Sequence, residues 1–111
     1  MNLEEKFKKY RERICDIENK KLDIEKFKIS NIENNELQIR EIEKEIKLLE
    51  LENSKIENIV KLLLKEREYR VIRLIYMDGN DKKAVSKQLD RTIRQIEYTI
   101  TKAFKRLSEK M

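Results

Sequence analysis

The sequence predicts an all-α fold, in which an N-terminal coiled coil, favoured as a helical hairpin, precedes a C-terminal three-helix helix-turn-helix unit. Two observations lead to this prediction. The 111 residues include one Gly and no Pro, and these two residue types interrupt helices most strongly. Apolar residues also recur at spacings of three and four along most of the chain, which places them on one face of a helix. The charged fraction of 44% and the aromatic fraction of 6% are typical of long helices rather than of a large globular core.

The first helix is predicted from about Leu3 to about Ile29. One apolar stripe runs along it, made of Leu3, Phe7, Tyr10, Ile14, Ile17 and Ile24. The Asn-rich stretch at 30–35 follows, and Asn and Ser side chains compete with helical hydrogen bonds and favour turns.

The second helix carries a regular heptad pattern. Its apolar positions alternate between spacings of three and four for more than three heptads, which predicts a coiled-coil seam. The seam, which we expect to mediate oligomerisation as a homodimer, consists of Ile39, Ile42, Ile46, Leu49, Asn53, Ile56, Val60 and Leu63. Asn53 occupies a core position, where it either fixes the register through an amide partner across the seam or is tolerated at a water-accessible end.

The two stripes are out of phase, because Phe7 and Ile39 are separated by four heptads plus four residues. A turn within 30–35 resets the phase and gives an antiparallel hairpin, which is the favoured interpretation. One continuous helix that absorbs the insertion is the alternative. The predicted organisation is a coiled-coil or oligomerisation segment at 1–64 and a helix-turn-helix domain at 65–111.

Three shorter helices are predicted after the coiled coil. The first covers Lys65–Met77 and stops at Asp78-Gly79-Asn80, where Gly79 is suited to a left-handed C-cap. Asp81 is a candidate N-cap for the next helix, and Thr92 for the last one, after a break at 89–92. Their apolar residues match the packing of a helix-turn-helix, with Ser86 as the small residue between the helices, and are Val85, Leu89, Ile96, Ile100, Ala103, Phe104 and Leu107.

Positive charge is concentrated in this C-terminal part. The chain has a net charge of +5, and residues 67–111 hold 12 Lys and Arg against 6 Asp and Glu, whereas residues 1–66 hold 15 against 16. Such a distribution is typical of a nucleic-acid-binding module, although a solvated basic surface explains charge alone equally well.

The start of a recognition helix lies in the DNA major groove, so its first two turns supply the candidate base contacts. These candidates are Ile93, Arg94, Gln95, Glu97 and Tyr98. The candidate phosphate contacts are Lys82, Lys83, Lys87, Arg91, Thr92 and Lys102, and phosphate contacts position a protein on the duplex.

The stretch from Lys65 to Leu107 resembles region four of bacterial sigma factors, and most closely the small phage-type regulators of the ArpU and RinA families. The matching residues are Arg67, Glu68, Val71, Ile72, Leu74, Tyr76, Gly79, residues 85–89, Thr92, Arg94, Ile96 and residues 102–107. The resemblance implies a DNA-binding transcriptional regulator of four to five helices, related to phage or prophage. Arg91 replaces an apolar turn residue of the family, and Glu97 and Tyr98 replace its frequent Arg and Gln, so sigma-type promoter recognition is not implied.

Composition argues against an enzyme. The chain has no His and a single Cys, Cys15, and it lacks a Gly-rich phosphate loop. We therefore expect no catalytic residues, no metal and no cofactor. A cytoplasmic location is expected, because the N-terminus lacks an apolar leader core, and no membrane association is expected.

The expected partners are double-stranded DNA, a second copy of the chain and RNA polymerase. Two other functions stay open from the sequence: a DNA-packaging adaptor similar to phage small terminase subunits, and a coiled-coil scaffold that binds RNA polymerase.

Overall fold

The computed structural model describes residues 2–30 and 35–111, and all regular structure in these residues is helical. The predicted all-α class is therefore confirmed. The helices are α1 (Leu3–Ser30), α2 (Asn35–Leu63), α3 (Glu66–Ile72), α4 (Lys82–Leu89) and α5 (Ile93–Ser108), and α3 continues directly into a π-helical turn at Arg73–Met77.

Helices α1 and α2 form an antiparallel hairpin. The Tyr10 hydroxyl donates to Glu57, 47 residues away, and Lys20 Nζ lies 2.7 Å from Glu45 Oε2, 25 residues away. Paired residues are therefore closer together in the sequence the nearer they lie to 30–35, as in an antiparallel hairpin. One continuous helix is thus excluded. Most of the turn predicted at 30–35, residues 31–34, lies outside the described residues.

The predicted coiled-coil seam faces α1 of the same chain. Ile46, Asn53 and Val60 are buried, and the other five seam residues are partly buried. The apolar stripe of α1, in which Phe7, Tyr10 and Ile17 are buried, supplies the surface that covers them. A homodimer through this seam would require α1 to leave it, so the seam no longer supports that prediction.

Asn53 connects the two helices in a different way from the one predicted. Its side chain is 6% exposed. Its Oδ1 accepts a hydrogen bond from Arg13 Nε at 2.6 Å, and its Nδ2 donates to the Tyr10 carbonyl at 3.2 Å. The Asn53 amide therefore pairs with a guanidinium and a backbone carbonyl of its own chain. It does not pair with an amide across a dimer. A shift of α1 against α2 would leave a buried amide unpaired, which is costly.

The hairpin and the C-terminal helices share one core. The hairpin contributes buried apolar residues such as Phe7 and Val60, and the C-terminal part contributes others such as Met77 and Leu107. The Phe7, Tyr76 and Phe104 rings lie 4.9–6.3 Å apart between centroids. The predicted boundary between residues 64 and 65 therefore separates helices along the chain but does not divide the core.

The predicted helix stops and caps in the C-terminal part are present. In the π-helical turn, the Asp78 N–H donates to the Arg73 carbonyl at 2.8 Å. Gly79 follows with a φ of +84°, the left-handed conformation that suits glycine. Asp81 caps α4 through a 2.7 Å hydrogen bond from the Ala84 N–H to its Oδ1.

Candidate nucleic-acid interface

A short turn at 90–92 connects α4 to α5, where the sequence predicts the turn of a helix-turn-helix. Asp90 adopts a left-handed conformation with a φ of 53° and a ψ of 53°, which ends α4. The Arg91 N–H donates to the Ser86 carbonyl at 3.0 Å, and the Ser86 hydroxyl donates to the Arg91 carbonyl. Ser86 thus binds the backbone of Arg91 twice, through its carbonyl and through its hydroxyl, and the turn forms with Arg91 where the family has an apolar residue.

Thr92 is the N-cap of α5, as predicted. Its Oγ1 accepts from the Gln95 N–H at 3.1 Å, while Gln95 Oε1 accepts from the Thr92 N–H at 3.0 Å. This reciprocal pair is a capping box. It orients the first turn of α5, where candidate base contacts lie.

Apolar packing fixes the orientation of α5. Val71 of α3, Val85 of α4, and Ile96 and Ile100 of α5 form a buried cluster, against which Leu89 and other partly buried residues pack. Because these α5 residues face inwards, the five predicted base-contact residues all lie on its exposed side: Ile93, Arg94, Gln95, Glu97 and Tyr98.

An open groove of about 580 Å³ runs between the start of α3 and the exposed side of α5. It brings together six of the predicted contact residues, which are Arg91, Thr92, Arg94, Gln95, Tyr98 and Lys102. It also includes cations that the sequence analysis did not select as contacts, namely Lys65, Arg67 and Arg106. Six cationic side chains thus line one groove, hereafter the basic groove, with Glu68 as its acidic residue.

Glu68 is the residue that organises the α3 side of the basic groove. It is buried, and both its carboxylate oxygens lie within 3.1–3.2 Å of Arg106 Nε. Its Oε1 also accepts from the Lys65 N–H at 3.1 Å, which caps α3. Glu68 therefore holds Arg106 against α3 while offsetting only one of the six positive charges.

Two surface contacts modify the recognition face. Lys102 Nζ lies 4.8 Å from the centroid of the Tyr98 ring, a cation–π geometry that restrains the exposed ring. On the other side of α5, Glu97 lies 3.8 Å from Lys82. Both residues of that pair are exposed, so the ion pair adds little stability and can be exchanged for another partner.

The remaining predicted phosphate contacts lie outside the basic groove. Lys82, Lys83 and Lys87 are exposed on α4. Of these three, Lys82 reaches Glu97, on the side of α5 away from the groove. Lys82 therefore adds one cation on that side of α5.

The selection of Lys65, Arg67 and Arg106 required the tertiary structure. Lys65 and Arg106 are 41 residues apart in the sequence, and only the packing of α3 on α5 brings them together. Arg67 and Arg106 belong to the residues that match the sigma-type pattern. That match was the feature of the sequence from which their place in the groove could have been predicted.

Within residues 2–30 and 35–111, no cluster of three or more His, Cys, Asp or Glu residues could hold a metal ion. No helix in the same residues is long and apolar enough to cross a membrane. Comparisons with protein-family models, with curated proteins and with solved structures returned no match to this chain.

Proposed function

We propose that this chain is a sequence-specific DNA-binding transcriptional regulator of the sigma region-four-like type. The observation that carries the proposal is the basic groove, which adjoins the exposed first turns of a correctly capped recognition helix. Six cations around one groove provide the charge that neutralises a nucleic-acid backbone. The resemblance of residues 65–107 to phage-type regulators supports a phage or prophage origin for this function.

The first turns of α5 have the chemistry for reading base edges in the major groove. Arg94 can donate two hydrogen bonds to guanine, and Gln95 suits adenine. Arg94 and Tyr98 are four residues apart and share one helix face. Glu97 would accept a hydrogen bond from the cytosine amino group if its ion pair with Lys82 were replaced by a contact with DNA.

Phosphate contacts would come from both sides of α5. Arg91 and Arg106 flank it on the groove side, Lys82 reaches it from α4, and Lys83 and Lys87 are further exposed cations of α4. A recognition helix in the major groove lies between two phosphate backbones, so cations on both sides match the duplex.

Selection of bound sequences from a random duplex library tests the proposal. We expect one preferred sequence, and we expect Arg94→Ala to weaken binding to it by roughly 10- to 100-fold and to relax preference at one position. Lys87→Ala should weaken binding to all sequences and reduce the salt dependence by about one counterion.

Lys26→Ala provides the matched control, because Lys26 is an exposed cation on α1 towards the far end of the hairpin. Its loss should leave DNA affinity unchanged. The proposal would be refuted by the absence of binding at low salt, where electrostatic association is strongest. It would equally be refuted if Arg94→Ala changed neither affinity nor preference.

A further inference from the structure

The outer face of α2 carries a second apolar stripe that the hairpin does not cover. Leu37, Leu48, Leu51 and Leu62 are 66%, 65%, 54% and 83% exposed. At about 100° per residue, all four fall within an arc of about 60°. This arc is roughly opposite the seam that packs on α1. We call these four leucines the outer stripe.

Four leucines aligned along one face differ from scattered surface apolar residues, which need no explanation. From Leu37 to Leu62 the outer stripe extends over 25 residue steps of one helix, or about 37 Å at 1.5 Å per residue. The leucines lie at both ends and in the middle of the stripe. Their spacing is that of a heptad core, with Leu48 and Leu62 at position a and Leu37 and Leu51 at position d. Such a stripe fits another helix of the same length.

We propose that the outer stripe is the interface of a parallel homodimer, in which α2 of one chain packs along α2 of a second copy. This proposal assigns self-association to the face of α2 opposite the one that its heptad pattern first indicated. It explains why leucines remain exposed along a helix whose other apolar face is already covered.

Charges beside the outer stripe specify the partner and its direction. With Leu48 at position a, the basic residues Arg40 and Lys47 lie at g positions, and the acidic residues Glu45 and Glu52 lie at e positions. In a parallel pair, each g residue faces the e residue five positions later on the other chain. Arg40 then faces Glu45, and Lys47 faces Glu52, once in each direction. In the single chain Glu45 pairs with Lys20 and Glu52 with Lys55, so the contacts across the dimer would share or replace these exposed pairs.

An antiparallel pair would have the opposite electrostatics. It brings g positions against g positions, and e positions against e positions, so that basic residues would face basic residues and acidic residues would face acidic ones. Like charges across a helix interface are unfavourable. The flanking charges therefore favour the parallel arrangement.

The dimer should be weak. Between the leucines, the core positions hold Glu41, Lys44, Lys55 and Asn58. In a parallel pair each of them faces its own copy, so Glu41, Lys44 and Lys55 each meet a like charge, which opposes the gain from the flanking pairs. Polar residues at core positions reduce coiled-coil stability while restricting its register and number of strands. The long Lys side chains can extend to solvent at the edge of the interface. We expect a micromolar dissociation constant for the free protein.

A parallel dimer places both helix-turn-helix units at the same end of the paired hairpins. On a duplex with two half-sites, the second unit would bind at high effective concentration. This consequence depends on the proposed function, whereas the dimer itself does not.

Analytical ultracentrifugation of the full chain without DNA tests the interface. We expect the wild-type protein to pass from monomer to dimer as its concentration rises through the micromolar range. The double variant Leu48→Glu/Leu51→Glu should increase the dissociation constant by more than 10-fold. Both side chains are exposed in the single chain and Glu forms helices well, so the helical signal in circular dichroism should not change.

Leu22→Glu is the matched control, since Leu22 is 53% exposed on α1, away from the outer stripe. It should dimerise as the wild type does. A wild-type protein that stays monomeric throughout, or that forms a larger ring, overturns the proposal. So does a double variant that dimerises normally. Because these measurements use no DNA, either failure leaves the proposed function standing.

Disulfide formation tests the direction. In a Cys15→Ser background, Leu62→Cys should form an intermolecular disulfide under mild oxidation, because a parallel pair brings the two thiols together. An antiparallel pair would separate them by about 37 Å, and cross-linking only between Leu37→Cys and Leu62→Cys chains would overturn the parallel arrangement. Lys47→Glu should weaken the dimer, and adding Glu52→Lys should restore it if the flanking charges pair as described.

Discussion

At the scale of single residues, Glu68 connects folding with the candidate interface. It is the acceptor for the N–H of Lys65, the N-cap residue of α3, and for the guanidinium of Arg106. Buried carboxylates persist in proteins when such partners satisfy them. The cation that it holds is thereby presented to the basic groove in one orientation.

We expect Glu68→Ala to lower the free energy of unfolding by about 2 kcal/mol, because α3 loses its cap and Arg106 loses both contacts. Glu68→Gln should cost less, since its amide oxygen can still accept from Lys65. Urea denaturation measures both values. Glu66→Ala is the control, as its pair with Arg70 is exposed and should contribute at most about 0.5 kcal/mol. Equal losses for the two Ala variants would contradict the role assigned to Glu68.

Tyr10 gives the molecule a dependence on alkaline pH. Burial is the main cause that raises the pKa of its hydroxyl well above the ordinary 10.0, and its hydrogen bond to Glu57 raises the pKa further. The folded state therefore holds this proton more tightly than the unfolded state does. Its contribution to stability is complete below pH 10 and is lost as the pH rises above that value.

Tyr10→Phe should lower stability at neutral pH by about 1 kcal/mol through loss of the hydrogen bond. Above pH 10 its stability should fall less steeply than that of the wild type. Thermal unfolding followed by circular dichroism between pH 8 and pH 11 measures the difference. The stability of the variant should still depend on pH to some extent, because burial also raises the pKa of Tyr76. Parallel pH curves for the two proteins would show that Tyr10 is not responsible.

At the scale of elements, the turn between α4 and α5 depends on one unusual backbone conformation. Asp90 is the non-glycine residue with positive φ within 2–30 and 35–111. Asp tolerates the left-handed region better than most residues, but glycine adopts it freely. The orientation of the recognition helix relative to α4 is determined there.

Asp90→Val should destabilise the protein by about 2 kcal/mol, since a β-branched side chain is strained at positive φ. Asp90→Gly should be neutral or stabilising by a few tenths of a kcal/mol, because the relief of strain exceeds or balances the added flexibility of the unfolded chain. The denaturation midpoints of the two variants show whether each substitution lowers or raises the stability. A Val variant as stable as the Gly variant would show that the left-handed turn is not required.

The hairpin shows how far an element can be derived from periodicity. The predicted first helix at about 3–29 agrees with α1 at Leu3–Ser30, and the heptad residues of α2 are its buried face. Periodicity shows that a face must be covered, but it does not identify what covers it. Two solutions, α1 or a second chain, bury the same seam.

At the scale of the whole molecule, the shared core makes the two segments depend on each other. Phe7 and Val60 of the hairpin are fully buried against C-terminal residues that include Ala103 and Leu107. A unit of about 45 residues has little surface to bury by itself. The recognition helix is therefore supported from the opposite end of the chain.

A fragment of residues 65–111 should consequently be largely unfolded, and the full chain should unfold in a single transition. Phe7→Ala should cost about 3–5 kcal/mol, because it leaves a cavity beside Tyr76 and Phe104. Circular dichroism of the fragment and denaturation of the full chain test these outcomes. A fragment that melts cooperatively would show that the helix-turn-helix folds independently. Ile29→Ala is the control, since Ile29 is exposed at the end of α1.

By itself, the sequence determined the features that arise from neighbouring residues. These are the all-helical class, the caps at Asp81 and Thr92, the left-handed Gly79 and the exposed first turns of α5. Each depends on hydrogen bonds or spacing within a few residues, so each is encoded locally.

The tertiary structure alone decided which surfaces meet. It placed α1 on the heptad seam, paired Asn53 with Arg13, and brought Lys65 and Arg106 into one groove. Amphipathic periodicity is the same whether the covering helix belongs to one chain or to two. Contacts between residues 40 or more positions apart depend on how the helices pack, and it is this packing that left the outer stripe of α2 exposed.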